Sequence, residues 1–397
     1  MNGAPRKDRT FDGIVCFGGL DWWYHNRGHY DLQMMRELSG VVPVLYVNSI
    51  AMRVPRVAEG RMFARRILRK WKSLRRGLAV VRPGFGVFSP FVLPGALGTA
   101  LSRRIAPGQV RRAARRMGIT RPLVWVACPP AERFLDALDP AGVVYQRTDR
   151  YEAFAGVDPR FIGACSDALE RRADLTLFCS HLLMEEDAPR CACPVFMDHG
   201  VDFETFERAG ARPDDLPEDV RSIPGPRVGF VGGIDAHTFD PELFVATARL
   251  LPDANFVLVG SCSLPQGWCP LPNVHLLGQR PYEEVARYMA ASDVLIMPWN
   301  RSDWVRACNP VKLKEYLAVG RPVVSTDFHE LGSYAGLVRV ATSAEEFAGA
   351  IRSSLDHPGD PGPGRERVRR ETWQRKAREF LDRLRDEGLT PASRSLA

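Results

Sequence analysis

The sequence predicts an α/β protein of two domains, each built on a parallel sheet. Short apolar runs alternate with helix-period segments along most of the chain, the pattern of strand–helix–strand units. The alternation forms two series, separated by ERAGARPDDLPEDVRSIPGP at 207–226, a Pro-, Gly- and Asp-rich stretch that reads as a linker. A length of 397 residues suffices for two or three separate cores.

In the first series, apolar runs predict strands at Gly13–Phe17, Val44–Val47, Leu78–Val81 with Val87–Phe88, Leu123–Ala127, Val143–Gln146 and Leu175–Cys179. Helix-period segments between them predict helices near Asp31–Leu38, Ala64–Ser73, Leu101–Met117, Glu132–Leu138 and Pro159–Ala173. The second series gives strands at Arg227–Val231, Asn255–Val259, Val274–Leu276, Val294–Met297, Pro322–Ser325 and Leu337–Val340. Its helices fall near Pro241–Leu250, Tyr282–Ala290, Val311–Val319 and Ala344–Asp356, and a long charged helix, Arg365–Glu387, follows. Leu389–Ala397 read as a frayed end. The expected domains are 1–206 and 227–364, joined by the linker and followed by the closing helix and tail at 365–397. Ligands of such folds bind outside the carboxyl ends of the strands, so both sheets are expected to point those ends at a central cleft.

Bulk composition is that of a globular protein, 45% hydrophobic and 25% charged. Met1–Thr10 is polar and no signal pattern follows it, and the longest uncharged run, Pro83–Ser102, carries three prolines and four glycines, unlike a membrane-spanning helix. Nine scattered cysteines fit a reducing compartment, and Cys191 and Cys193 have no second pair at zinc spacing. These points predict a cytoplasmic protein. The charge is uneven: residues 53–116 hold 17 Lys and Arg against Glu59, a local +16 within a chain of +7. In Arg61–Leu78 the apolar residues Phe63, Ile67, Trp71, Leu74 and Leu78 recur at helical spacing among basic residues. This pattern fits a helix lying on an anionic membrane, each basic residue contributing on the order of 1 kcal/mol. That would make the protein peripheral on the inner face of the cell membrane. A solvated helix is the plainer alternative. Nucleic acid is the weaker rival, because no nucleic-acid motif accompanies the charge.

Five motifs carry possible chemistry. In NPVKLKEYLAVGRPVVST (Asn309–Thr326), a helix opening after a parallel strand offers free N–H groups to an anion. Lys312 adds a cation there, and Glu315, one turn on, can accept from sugar hydroxyls; the alternative is a helix whose Lys and Glu face water. GGLDWWYHNRGH (Gly18–His29) leads into the first helix, with Arg27, Gly28 and His29 placed for an anion and Trp22 and Trp23 for sugar stacking, or else as an apolar plug. Asp149, at the end of the strand Val143–Gln146, can serve as a general base, or as a cap or ion-paired carboxylate between Arg147 and Arg150. His199 and Asp202 stand at the crossing between the domains, with a structural role favoured. VGFVGGID (Val228–Asp235) runs a strand into Gly232 and Gly233, a turn that permits close approach of a diphosphate without completing a dinucleotide fingerprint.

Taken together, these pieces resemble glycosyltransferases of the GT-B fold. The resemblance is strongest in VGFVGGID, NFVLVGS, NVHLLGQRPYEEVARYMAASDVLIMPW and NPVKLKEYLAVGRPVVST. The first half, with FGGLDWWYHNRGHYDLQMMREL, LYVNS, FSPFVLPG and VYQRTDRYEAF, is similar to transferases of bacterial cell-surface polysaccharide synthesis of the teichuronic-acid type. The resemblance implies two Rossmann-like domains and a final helix, with Trp373, crossing back to the first. It implies a nucleoside-diphosphate sugar donor held by the second domain. Gly232 and Gly233 would approach the diphosphate, and Leu276, Leu277 and Gly278 the base. Asn309 and Pro310 would shape the helix entry, Lys312 would meet the diphosphate, and Glu315 the hydroxyls. The acceptor would lie near Trp22, Trp23, Gly28 and the 83–98 loop. Retaining members pair two glutamates in this motif, and Ala307 replaces the first here. The cation often found after the Gly-Gly turn is also replaced, by Asp235 and His237 nearby.

The implied function is transfer of a sugar to a lipid-linked or saccharide acceptor, with no metal or further cofactor and no nucleic-acid partner. A catalytically inactive scaffold of the same fold remains open, since the first glutamate is absent. A nicotinamide oxidoreductase is more distant.

Overall fold

A computed structural model describes residues 9–24, 28–50, 68–69, 71–92, 96–154 and 156–392. The chain divides into two compact units, 1–198 with 376–397, and 199–375. The 207–226 stretch falls within the second unit.

Strand β1 (Arg9–Phe11) stands outside the main sheet of the first unit. That sheet comprises β2 (Gly13–Phe17), β3 (Val44–Val47), β4 (Leu78–Arg82), β5 (Phe85–Phe88), β6 (Pro122–Val126), β7 (Gly142–Arg147), β8 (Leu175–Phe178) and β9 (Pro194–Phe196). Their order is β4-β5-β3-β2-β6-β7-β8-β9. Every pairing is parallel except the hairpin β4–β5. Val15, Phe17, Val124, Val126, Val143 and Tyr145 build the core on one face with the helix Ala96–Arg116. On the alternate positions, Trp125 donates to Gln146 (2.8 Å) and packs edge-on against Phe380. Residues 376–386 of the last helix thus belong to the first unit, as the crossing helix of the resemblance implied.

The second unit holds β10 (Arg227–Val231), β11 (Asn255–Val259), β12 (Val274–Gly278), β13 (Val294–Met297), β14 (Val323–Ser325) and β15 (Arg339–Val340). The order is β12-β11-β10-β13-β14-β15, all parallel. The edge strands β12 and β15 are partly exposed, whereas β10, β11, β13 and β14 are largely buried and covered on both faces, which explains their nearly continuous apolar runs. Alternation divides them: Val257, Val259, Leu295 and Met297 enter one core, while Phe256, Leu258, Val294 and Ile296 enter the other.

Several expected elements differ. Residues 203–210 form a helix whose Phe203 and Phe206 are buried, and Val220 and Ile223 join the same core. The polar composition of 207–226 hid Val220 and Ile223, and Phe203 and Phe206 lie just before it. The expected helix Arg365–Glu387 is two helices, Gly362–Arg369 and Trp373–Asp386. The chain leaves the helix at Glu371 and Thr372, where Val201 donates to the Glu371 carbonyl (2.8 Å) and pairs with Thr372. Leu389–Pro391, read as frayed, form β16, parallel to β1, with Leu389 and Phe11 fully buried. The basic helix expected over 61–78 lies partly outside the described residues. Residues 71–75 are helical, but Leu78 begins β4 instead of continuing the helix.

Candidate functional site

In the second unit the strand order reverses between β10 and β13. The loops at their carboxyl ends therefore diverge and leave room for a ligand. Beyond β10, the Gly232 N–H donates to the Val259 carbonyl (2.9 Å). At the end of β11, Gly260 has φ +156°, and a Cβ there would lie 1.7 Å from the Gly232 carbonyl oxygen. Only glycine permits this approach of two backbones. Asp235 closes the turn, its Oδ1 accepting from the backbone N–H groups of His237 (3.0 Å) and Thr238 (3.1 Å).

The helix Val311–Val319 begins beyond β13. Its N-cap is Pro310, which offers no side-chain acceptor, and its first turn contains no acid. Amides at that end remain suited to an external anion. Gly320, at φ +79°, closes the helix and donates to the Tyr316 carbonyl. The Val231 N–H donates to the Tyr316 hydroxyl (2.9 Å), which fixes the helix against the end of β10. One turn earlier, Lys312 lies over the glycine turn: a Cβ at Gly232 would meet Lys312 Cε at 2.6 Å and Nζ at 3.3 Å. Gly232 and Lys312, 80 positions apart in the chain, thus share one spot.

The two lysines of VKLKEY have different surroundings. Lys314 is fully buried, donates to the His199 carbonyl (2.5 Å) and pairs with Glu371. Lys312 is half-buried and no ion pair holds it among the described residues. Glu315 is 4% exposed and accepts from the Tyr282 hydroxyl at Oε1 (3.1 Å). Burial pushes its pKa up to about 7, against the opposing pull of Lys312 and of the Tyr282 hydrogen bond, while Asp202 adds a push upward. Asn309 and Pro310 are buried beneath the helix entry. Leu277 packs on the core, Leu276 is exposed, and Gly278 sits at φ +75° with its carbonyl accepting from Gly260 N–H (3.0 Å). The structure therefore gathers the ends of β10, β11 and β12 and the start of the helix Val311–Val319.

The first unit holds the remaining candidates. Asp149 follows β7, and burial raises its carboxyl pKa to about 6, against hydrogen bonding from Thr148 and the charge of Arg147. The two arginines flanking it direct their guanidinium groups elsewhere. Arg147 pairs with Glu152 and Asp187 and donates to the Asp149 carbonyl (3.1 Å), and Arg150 pairs with Glu186. The expected ion pair of Asp149 is thus replaced by partners from Tyr151–Ala153 and His181–Asp187.

Trp22 is half-buried against Phe85 and Tyr46, the packing of an apolar plug. Arg76 stacks over the Trp23 ring at 4.1 Å. His29 is the exposed N-cap of the helix Tyr30–Leu38, and Gly28 precedes it. The buried Asp31 carboxylate occupies the start of that helix, accepting from Gly19 N–H, Leu32 N–H and the Tyr46 hydroxyl. Arg27 lies outside the described residues. Of the basic segment, Leu68 and Trp71 are about half exposed, and Arg75 lies over the Trp71 ring. Among the described residues no helix is long and apolar enough to cross a membrane, and no group of three His, Cys, Asp or Glu side chains could hold a metal ion.

Residues 225–357 match the family described as glycosyl transferases group 1. That stretch is similar to group 1 glycosyl transferases. It contains Gly232, Gly233, Leu277, Gly278, Asn309, Pro310, Lys312 and Glu315. The Bacillus subtilis (strain 168) protein named as the teichuronic acid biosynthesis glycosyltransferase TuaH is 35% identical over 136 residues, 33% of this chain. The chain spans about a third of the length of that relative (34%). Solved structures extend the likeness to both units. Sucrose-phosphate synthase from Thermosynechococcus elongatus matches with a TM-score of 0.69 at 16% identity, covering 94% of this chain and 98% of that one. Anabaena Alr3699/HepE, solved in complex with UDP and glucose, gives 0.67 at 14% identity over 94% and 99%. The fold is that of GT-B glycosyltransferases.

Three residues of the matched stretch that shape this site carry no role in the sequence reading: Gly260, Tyr282 and Tyr316. Gly260 ends the run NFVLVG as Gly232 ends VGFVG, a parallel that hints at two glycine-ended strands meeting. Tyr282 and Tyr316 give no such signal. Each looks like an amphipathic-helix aromatic until the fold brings its hydroxyl to a partner 33 or 85 positions away.

Proposed function

We propose that this protein is a glycosyltransferase that moves a sugar from a nucleoside-diphosphate donor to a saccharide or lipid-linked hydroxyl in cell-surface polysaccharide or glycolipid synthesis. One observation carries the reading: the Lys312 ammonium lies over the Gly232 turn beside an uncapped helix N-terminus, with the buried Glu315 one turn on. A diphosphate needs converging positive charge and N–H donors, and a ribose needs a fixed acceptor. The UDP complexes of the Anabaena neighbour support a nucleotide ligand, and the teichuronic acid name of the Bacillus relative supports a cell-envelope product.

In the proposed reaction an acceptor hydroxyl attacks the anomeric carbon and the nucleoside diphosphate departs. Lys312 and the amides opening the helix Val311–Val319 stabilise the charge left on that diphosphate. Asp149 takes the proton of the attacking hydroxyl, which assigns an inverting course. A base with a pKa of about 6 is ionised at neutral pH yet more basic than a solvated aspartate. Ala307, buried where retaining members place a glutamate, supports that course. The basic segment with exposed Leu68 and Trp71 supports attachment to an anionic membrane at the cytoplasmic face, where a lipid-linked acceptor would be found.

Transfer or donor hydrolysis measured with a panel of nucleotide sugars tests the proposal. Turnover with one donor is expected. Tight donor binding without turnover would instead favour a scaffold of the same fold.

A further inference from the structure

We propose that Tyr282 is a positioning residue of the donor site: its hydroxyl holds Glu315 Oε1 so that the carboxylate meets the donor hydroxyls ionised and in one orientation. The inference rests on the assignment of Glu315 to those hydroxyls. Tyr282 opens the helix Tyr282–Ala290, four residues after Gly278 at the end of β12. Its hydroxyl donates to Glu315 Oε1 at 3.1 Å, and its ring meets Phe206 edge-on, with centroids 6.4 Å apart. The tyrosine thus couples the loop assigned to the base with the carboxylate assigned to the hydroxyls.

A carboxylate this buried needs donors to stay charged. The charges around Glu315 are few. Lys312, on its own helix, favours the ionised form, and Asp202, just before the helix Phe203–Gly210, opposes it. Lys314 is committed to Glu371 and the His199 carbonyl. Arg365, from the helix Gly362–Arg369, donates to the Ala318 and Val319 carbonyls at the far end. Tyr282 is therefore the neutral donor that offsets Asp202. Without its hydroxyl the glutamate takes up a proton at higher pH and accepts fewer hydrogen bonds from a ligand.

The test is calorimetric binding of UDP, GDP, ADP and dTDP to the full chain between pH 5.5 and 9, for wild type, Tyr282→Phe and Asp202→Asn. The wild type should bind one of them with an affinity that rises with pH around a midpoint near 7. In Tyr282→Phe the midpoint should move up by roughly half to one pH unit, weakening binding at pH 6.5 by about 3- to 10-fold. In Asp202→Asn it should move down, an opposite sign that general loosening would not produce. A Tyr282→Phe midpoint equal to the wild type's overturns the tyrosine's role and leaves the donor site standing. No binding of any nucleoside diphosphate by the wild type overturns the donor site and this role with it. The pH dependence of unfolding gives a ligand-free check. The fall in stability on raising the pH toward 7 should extend higher in Tyr282→Phe, and an unchanged profile would also overturn the role.

Discussion

Lys312 and Lys314 are two positions apart, yet only one is placed to bind a ligand. Lys314 is sealed against Glu371, and breaking a buried pair leaves a charge unpaired, so Lys314→Ala should lower unfolding stability by roughly 3–5 kcal/mol in a denaturant titration. Lys312→Ala should leave stability within about 1 kcal/mol and weaken nucleoside-diphosphate binding about 10- to 100-fold, the loss of one charge-assisted contact. Glu315 adds a pH signature. Its folded pKa of about 7 lies above the ordinary value of 4.5, so the folded state holds a proton that the unfolded state releases. Stability should therefore fall as pH rises from about 4.5 to 7 and level off above, and Glu315→Gln should remove that slope in thermal unfolding. Asp149→Asn should cut turnover by about 10²- to 10⁴-fold with donor affinity unchanged, and near-normal turnover would remove it as the base. The residue types of the donor motif were legible because a lysine and a glutamate one turn apart on a strand-led helix suit a phosphate joined to a sugar. The sequence reading also chose Lys312, but what commits Lys314 elsewhere, its partners Glu371 and His199, lies far away in sequence and was not legible.

At the level of elements, the helix Val311–Val319 is positioned by Tyr316 and closed by Gly320. Tyr316→Phe leaves the buried Val231 N–H without that acceptor and should cost about 1–3 kcal/mol, with a further loss of donor affinity if Lys312 shifts. Measuring stability and affinity in the same variant separates the two effects. Elements with dense local signals were read well from sequence. The strands Arg227–Val231, Asn255–Val259 and Val294–Met297 are continuous apolar runs, and Tyr282–Ala290 and Ala344–Asp356 carry clear helical periodicity. Elements whose stability comes from distant partners were not. Leu389–Pro391 is a strand because Arg9–Phe11 pairs with it, and Phe203–Gly210 is a helix because its two phenylalanines reach a core shared with Val285 and Leu313.

For the whole molecule, the two-series α/β plan was visible in the sequence, whereas the exchange points at 198/199 and 375/376 were not. Composition changes at 207–226, but the chain passes between units where Asp198 meets Lys376 in one and Gly200 packs on Trp373 in the other. Charge is the other molecular-scale feature. The +16 of residues 53–116 predicts binding to anionic liposomes that weakens with salt, and reversing charges within 65–76 should release the protein, while equal retention would contradict membrane attachment. The central claim is that the second unit holds a nucleoside diphosphate through Lys312. Thermal unfolding of wild type and Lys312→Ala with UDP, GDP, ADP and dTDP tests it most directly. A ligand at 100 times its dissociation constant adds about 2.7 kcal/mol, so one diphosphate should raise the wild-type midpoint by several degrees, and a 10- to 100-fold weaker affinity should leave the variant about half of that shift or less. No shift with any diphosphate, or an equal shift in both proteins, would contradict it.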